Sequence, residues 1–479
     1  MRNSLPPVPT KLPEIEVVAA TRRGVPRAVL VAPAEAEEGA SYGASGRTAE
    51  VREVPEDGDG PRWVAGIGEG APKDFRSTGA ALARAFREAA ENSPIRTVQV
   101  VLPEDATAEH AAELAVGLSL GGYRFVVTTT EPKPPVPAVR LVVAHERAVP
   151  AYADAVARVR VLAAAAAFTR DLANTPSNIK NPAWLANTTA KVLGRTVDVT
   201  VRDEKWLADN GFGGILAVGG GSASPPRLIE MTHSPRGATK HLLFVGKGIT
   251  FDTGGLSLKP ADGMHLMRTD MAGGAAVIAA MRAIGELNLP VRVTALVPAA
   301  ENHVSGGSYR PGDIVRHYGG QTTEIGNTDA EGRMVMADAL AYGIAQHKPD
   351  LIVDAATLTG AMKVSLGLRT GGFFATDDDL AERLLKAGAR AGEAWWRMPL
   401  VEDYATGIEG ELGDVRQAPN GPGGIMAALF LREFTAGLPW AHLDIAGPAR
   451  ADKTYDDVVP GASGFAARTL VEFAASYEG

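Results

Sequence analysis

The chain reads as an α/β protein of two domains: a smaller N-terminal α/β domain and a larger C-terminal α/β domain with a mainly parallel central sheet flanked by helices. Three observations predict this. Strand-like and helix-like stretches alternate over residues 1–150. A long alanine-rich helix follows at about 151–172 and links to the remainder, 173–479. Beyond it, short continuous apolar runs recur with helical stretches between them, the pattern of strands buried on both faces.

The elements follow in order. The first 30 residues read as a proline-rich lead into a strand at "PRAVLVAP" (Pro26–Pro33). The acidic, Gly/Ser-rich stretch 34–60 reads as a loop or irregular hairpin. "FRSTGAALARAFREAAE" (Phe75–Glu91) places Leu82, Phe86 and Ala89/Ala90 on one helical face. "TVQVVLP" (Thr97–Pro103) predicts a strand, Thr107–Tyr123 a helix stopped at Gly121–Gly122, and "VRLVVAH" (Val139–His145) a strand. After the linker helix, "HLLFVGKG", "VRVTALVPA", "DLIVDAAT", "GGFFATD" and "WAHLDIAG" supply the buried strands. Ligands of such sheets bind beyond the carboxyl ends of the strands.

Composition narrows the function. A chain of 479 residues, 45% apolar and 22% charged, builds a sizeable core. A net charge of −8 gives no electrostatic reason to expect nucleic acid or an anionic membrane as partner. The absence of cysteine excludes disulfides and thiolate zinc sites and suits a reducing compartment. With no apolar h-region at the N-terminus and no apolar run of about 18 residues, neither a secretory signal nor a membrane span is expected, and a cytoplasmic location is.

The densest chemistry lies in Val245–Val277 and in "NTDAEGR" (Asn327–Arg333). An apolar strand runs into Gly246-Lys247-Gly248, followed by Asp252, Lys259 and Asp270. Glycine pairs at 254–255 and 273–274 allow tight turns and close backbone approach. Asp270 stands just before a predicted helix, where a carboxylate is favoured. Alone, Asp252 before two glycines reads as a turn residue, and "NTDAEGR" reads equally as a metal site, an acid/base pair or a solvated loop. G-x-x-x-x-G-K-[ST], H-E-x-x-H and G-x-S-x-G are all absent, so neither a phosphate loop, a histidine zinc site nor a serine elbow is signalled. His265 and His303 fall in the same loops and read as surface or supporting residues. Hydrolytic ions would therefore need oxygen ligands, which Asp252, Asp270, Asp329 and Glu331 can supply. Four carboxylates suit two divalent ions of the Mn²⁺, Mg²⁺ or Zn²⁺ type. One lysine could ligate as a neutral amine, and a second, kept charged, could stabilise an oxyanion.

G-K-G-x-x-F-D-[ST]-G-G-x-x-x-K-P, then M-x-x-D-M, then N-T-D-A-E-G-R resembles the leucyl (cytosol) aminopeptidases of peptidase family M17. "RDLANTPSN" (Arg170–Asn178), Leu296–Ile314, "DAATLTGA" (Asp354–Ala361), "GGIMAALFLREF" (Gly423–Phe434) and "WAHLDIAGPA" (Trp440–Ala449) agree, and the resemblance covers about 160–475. It implies that 173–479 is the catalytic domain of a metallo-exopeptidase that releases Leu- or Met-like N-terminal residues by a dimetal-activated water. By the same resemblance, Asp252 and Glu331 bridge the ions, Lys247 and Asp270 complete the tighter site, and Asp329 completes the more exchangeable one. Lys259 holds the substrate carbonyl and Arg333 a bicarbonate acting as general base. Met267, Thr357, Leu358 and Gly360 line the pocket, and Gly332 allows a turn that returns Arg333 to the site. The implied partners are peptides with a free N-terminus and the other subunits of a homohexamer. A carboxylate dimetal phosphatase or nuclease, or a member with a second, DNA-binding role, is the alternative reading. His303-Val304, Arg268 and Gly326 depart from the common pattern, in loop shape and substrate preference rather than in the ligand set.

Overall fold

The computed structural model describes residues 6–34, 42–55, 60–129 and 135–477. Parts of the acidic stretch read as a loop, 35–41 and 56–59, lie outside the described residues. The chain divides into two compact units: 1–167 with 452–460, and 168–451 with 461–479. The change of unit falls inside the long helix Val149–Asn174.

In the first unit the described residues form a six-stranded sheet in the order β1-β6-β5-β2-β4-β3. These are β1 (Glu14–Val18), β2 (Arg27–Val31), β3 (Val51–Glu53), β4 (Trp63–Gly66), β5 (Thr97–Val101) and β6 (Ala138–Val142). All pairings are parallel except β3 with β4. The helix Pro72–Asn92 buries Phe75, Leu82, Phe86, Ala89 and Ala90, the face its spacing predicts. β1 corrects the reading of residues 1–25 as a mere lead-in. Its five residues, "EIEVV", alternate exposed and buried, and the flanking prolines mask so short a period.

The second unit is built on a mixed, mostly parallel sheet. Its strands are β7 (Asp198–Arg202), β8 (Arg227–His233), β9 (His241–Gly246), β10 (Gly248–Asp252), β11 (Arg292–Asn302), β14 (Leu351–Ala356), β15 (Thr370–Ala375), β16 (Ala394–Arg397) and β18 (Trp440–Asp444). The order is β16-β15-β18-β14-β9-β11-β8-β7, with β10 added beside β11. The centre (β18, β14, β9, β11, β10) is parallel, while β15, β8 and β7 join antiparallel to the neighbour nearer the centre. β9, β14 and β18 are buried along their whole length, as continuous apolar runs require. A small sheet of β12 (Ile314–Arg316), β13 (Thr322–Glu324) and β17 (Val415–Arg416) lies apart from this one. Among the described residues no helix is long and apolar enough to cross a membrane.

The helix Ala272–Leu287 follows the candidate acid Asp270 and packs on the central strands through glycine. A Cβ on Gly273 would lie 2.1 Å from the Ala355 carbonyl oxygen of β14, and one on Gly246 would lie 2.7 Å from Gly274 Cα. The Gly274 amide donates to the Lys247 carbonyl at 2.7 Å, which seals the helix onto the end of β9. The pair 273–274 therefore serves close approach within a helix and not a turn.

Two outcomes follow from this packing. Gly273→Ala must push the helix off β14, so its thermal midpoint falls by an amount equivalent to about 1–3 kcal/mol, whereas Gly306→Ala, whose Cβ meets nothing within 4 Å, leaves it unchanged. Equal midpoints would contradict the close approach. The second concerns His241, at the start of β9, whose ring meets Thr294 Oγ1 at 2.9 Å. Burial, helped by Arg292 and His347 and opposed by Asp350, pulls its pKa down to about 4 from 6.5. The unfolded chain thus binds a proton that the folded chain refuses, so this stability is complete above pH 6.5 and is lost as pH falls to about 4. Thermal melts at pH 7 and pH 5 should differ more for the wild type than for His241→Asn; parallel losses would contradict the assignment.

Candidate metal centre

The parallel core delivers polar residues to one edge. Lys247 follows β9, Asp252 ends β10, Asn302 ends β11, Thr357 follows β14 and Asp444 ends β18. Asp252 and Asn302 are paired in register, as are Ala356 and Asp444. These are the carboxyl ends of the strands, where such sheets bind ligands.

Each proposed ligand is held by its own local chemistry. Asp252 Oδ1 accepts from the Gly254 amide and from Asn302 Nδ2, each at 2.8 Å, and its Oδ2 lies 2.8 Å from Lys259 Nζ. Gly254 and Gly255 take φ of 87° and 62°, so glycine is required at this turn. Thr357 Oγ1 donates to Asp270 Oδ1 at 2.8 Å, and the Thr357 carbonyl accepts from Lys247 Nζ at 3.0 Å. Lys247 Nζ is 2.8 Å from both Asp270 Oδ2 and Glu331 Oε1, while Lys259 pairs with Asp329 Oδ1. One oxygen each from Asp252, Asp329 and Glu331 falls within 4.8 Å of the others.

The loop reading of "NTDAEGR" needs correction. Glu331 opens the helix Glu331–His347, and Gly332 lies inside it with no left-handed φ. Gly332 is needed for room: a Cβ there would stand 2.8 Å from Lys247 Nζ and 2.7 Å from its Cε. Arg333 is buried; its Nη1 donates to the Gln417 carbonyl at 2.6 Å, and its Nε has no hydrogen-bond partner among the described residues. Burial lowers its pKa to about 10, so it stays charged at neutral pH.

Crowding sets the electrostatics. Four carboxylates and two ammonium groups leave a formal charge of −2 in a space where Asp252, Asp270 and Glu331 are nearly inaccessible. Burial raises Glu331 to about 8 and Asp270 to about 6, with the Asp252 charge adding to both and Lys247 opposing. Burial and Asp252 raise Asp329 as well. Burial works against the charge on Lys247, but Asp270, Glu331 and Asp252 outweigh it, and its pKa rises; Lys259 rises similarly through Asp252 and Asp329. Asp270 Oδ2, Asp329 Oδ1 and Glu331 Oε1 face these ammonium groups as ion pairs, yet none has a partner in hydrogen-bond geometry. Carboxylates that outnumber the ammonium groups paired with them, in a largely inaccessible space, fit divalent cations.

Of the pocket residues, Met267 is half-buried in the short helical turn Met264–Thr269, and Leu358 packs on the apolar core below. Gly360 is exposed with open space at its Cβ, and Thr357 spends its hydroxyl on Asp270. His265 and His303 are exposed.

Sequence reasoning left three supporting residues unassigned. Asn302 bonds Asp252 and also the Thr328 carbonyl, at 3.0 Å. Asp444 accepts from the amides of Leu358 and Thr359 and from Thr359 Oγ1, at 3.2, 3.1 and 2.6 Å, and so shapes the chain that follows β14. Gln417 contacts the loop ahead of Glu331. Asn302 and Asp444 each stand at the polar end of a predicted strand segment, a signal available for both; Gln417 carries none.

Residues 167–471 match the catalytic domain of the cytosol aminopeptidase family, and residues 34–132 match that family's N-terminal domain. A probable cytosol aminopeptidase of Leifsonia xyli is 39% identical over 98% of this chain and 97% of its own length. One from Desulfotalea psychrophila is 42% identical over 78% of this chain and 77% of its own. Among solved structures, the bottromycin maturation enzyme BotP in complex with Mn superposes with a TM-score of 0.84 at 38% identity, covering 95% of this chain and 99% of that one.

The charge surplus makes a direct prediction. Glu331→Gln replaces one of the four crowded carboxyls, whose ionised form burial already disfavours, so in chelator its thermal midpoint should not lie below that of the wild type. Adding a divalent chloride should raise the wild-type midpoint by mass action and the variant's much less. A variant that melts early in chelator, or gains as much as the wild type, would contradict the cation-binding geometry.

Proposed function

Since this chain belongs to the cytosol aminopeptidase family, it is a hydrolase of the aminopeptidase class, and we propose that it is a two-cation enzyme that removes apolar N-terminal residues from peptides. The observation that carries this reading is the convergence of four carboxylates, Asp252, Asp270 and Glu331 buried and Asp329 half-buried, on only two ammonium groups, Lys247 and Lys259. In it, Asp252 and Glu331 would be shared by the two ions, Lys247 and Asp270 would serve the tighter site, and Asp329 would serve the exchangeable one. Mn²⁺, Zn²⁺ and Mg²⁺ all suit these donors, and the manganese named with the related solved enzyme favours the first. When bound, such a pair of ions polarises the scissile carbonyl and acidifies water.

The chain's own residues do the rest. Lys247 would hold an ion as the neutral amine, its proton displaced by the nearby cationic charge. Lys259, with its side chain 20% exposed, keeps its charge. It donates to the scissile carbonyl oxygen and stabilises the negative charge that grows there. Arg333 holds a bicarbonate-sized oxyanion through the Nε that no described residue engages, keeping a base beside the reacting groups. A free amino terminus would add a nitrogen donor to one of the ions, which an acylated one cannot. Met267, Leu358 and Gly360, with Thr357 behind them, exclude water from an apolar first side chain. Burying one such side chain is worth about 1.5–3 kcal/mol, which gives preference rather than absolute specificity. A cytoplasmic homohexamer acting on peptides, with neither membrane nor nucleic acid as partner, belongs to the same reading.

Leu-p-nitroanilide and Leu-dipeptides should be cleaved after loading with Mn²⁺, and N-acetylation of the dipeptide should abolish turnover; equal cleavage of the acetylated form would sink the proposal. Lys259→Ala should retain bound metal and lose about 10²-fold or more in kcat. Loss of metal in that variant would make Lys259 a ligand instead.

A further inference from the structure

We propose that Gln417 is the positioning residue on which the turn that carries Asp329 and leads into the helix of Glu331 and Arg333 is moulded. The side chain is fully buried, just beyond β17 and some 84–91 residues from its partners. Its Oε1 accepts from the amides of Gly326 and Asn327 at 3.1 and 3.0 Å, and its Nε2 donates to the Ala330 carbonyl at 3.1 Å. Its own carbonyl accepts from Arg333 Nη1 at 2.6 Å, and its own amide donates to the Glu324 carbonyl at 3.0 Å, anchoring it to β13.

One amide therefore fixes both ends of the turn 326–330. Gly326 and Asn327 are exposed residues, so water would otherwise compete for their amides. Within the turn, Asn327 Oδ1 accepts from the Asp329 amide at 2.9 Å and the Asn327 carbonyl from the Ala330 amide at 3.0 Å. Asp329, only half-buried, thus inherits its place from Asn327, which inherits its own from Gln417. Tyr309 and Asn302 both bond the Thr328 carbonyl, at 2.9 and 3.0 Å, and hold the middle of the turn from the other side. Asn302 reaches Asp252 as well, whereas no side-chain bond of Gln417 reaches a proposed ligand; its influence passes through backbone geometry alone. The inference rests on the two-cation reading for its consequence, but not for the clamp itself.

Two substitutions at 417 separate clamp from bulk. Gln417→Met keeps the volume and loses every side-chain bond; Gln417→Glu keeps an acceptor for the Gly326 and Asn327 amides and loses the donor to Ala330. Thr323→Val is the control, since it removes one buried bond, to His317 Nε2 at 2.9 Å, from the same small sheet without touching the turn. Hydrogen exchange of the chelated protein should show the 326–327 amides exchanging about tenfold or more faster in Gln417→Met, with protection kept in Gln417→Glu and in Thr323→Val. In Gln417→Met, Mn²⁺ affinity and kcat should each fall about 10–100-fold, with KM little changed, while Thr323→Val leaves all three alone. Unchanged exchange and affinity in Gln417→Met, or the same losses in Thr323→Val, would overturn the assignment. If the wild type takes up no Mn²⁺, the two-cation reading fails, and the exchange comparison alone still decides the role of Gln417.

Discussion

The crowding of four carboxylates, three of them buried, is the constraint around which the second unit is arranged. Removing a charge from water costs several kcal/mol unless it is paired, and like charges raise the cost further. Lys247, Lys259, Asn302, Thr357 and the amide of Gly254 each offset part of it. They do not neutralise it, and the raised pKa values of Glu331 and Asp270 measure what is left over. A site built so consistently against its own stability is a site shaped for a cationic ligand.

The fold supplies the rigidity that such crowding demands. Lys247, Asp252 and Thr357 stand at the ends of strands locked into one parallel register, and Glu331 opens a helix buried over its first three turns. Missing side chains matter as much as present ones. Gly273 and Gly274 let the helix after Asp270 lie on the sheet, and Gly332 leaves the volume that the Lys247 ammonium fills. Beneath the site, Asp444 ties the Thr357–Gly360 strand end, and the fully buried His442 and Asp354 form a pair on the neighbouring strands β18 and β14. Burial works against the charge on His442, but Asp354 and Asp444 outweigh it and raise its pKa.

What the sequence revealed and what it hid divide along physical lines. β9, β11, β14 and β18 were legible because strands buried on both faces must be continuously apolar, and their polar terminators marked the active edge. The helix at 272–287 was legible from its small-residue spacing. β1, β7 and β8 were not read: β1 and β7 are short and half-exposed, and β8 follows a Pro-Pro break. The seven charged site residues could be listed from their motifs, but the reason for Gly332 could not, because a glycine kept for another residue's side chain looks like a glycine kept for a turn. Gln417 was invisible for a similar reason: its side chain bonds backbone atoms some 87–91 residues away, and backbone partners leave no trace in a motif.

The central claim, that these carboxylates are a two-cation centre, is tested most directly by anomalous diffraction from crystals grown with Mn²⁺. The account predicts two peaks per chain about 3.5–4 Å apart, both contacting Asp252 and Glu331, with Asp270 and Lys247 on one side and Asp329 on the other. An absence of peaks at these residues, or a single ion bound without Glu331, would contradict it.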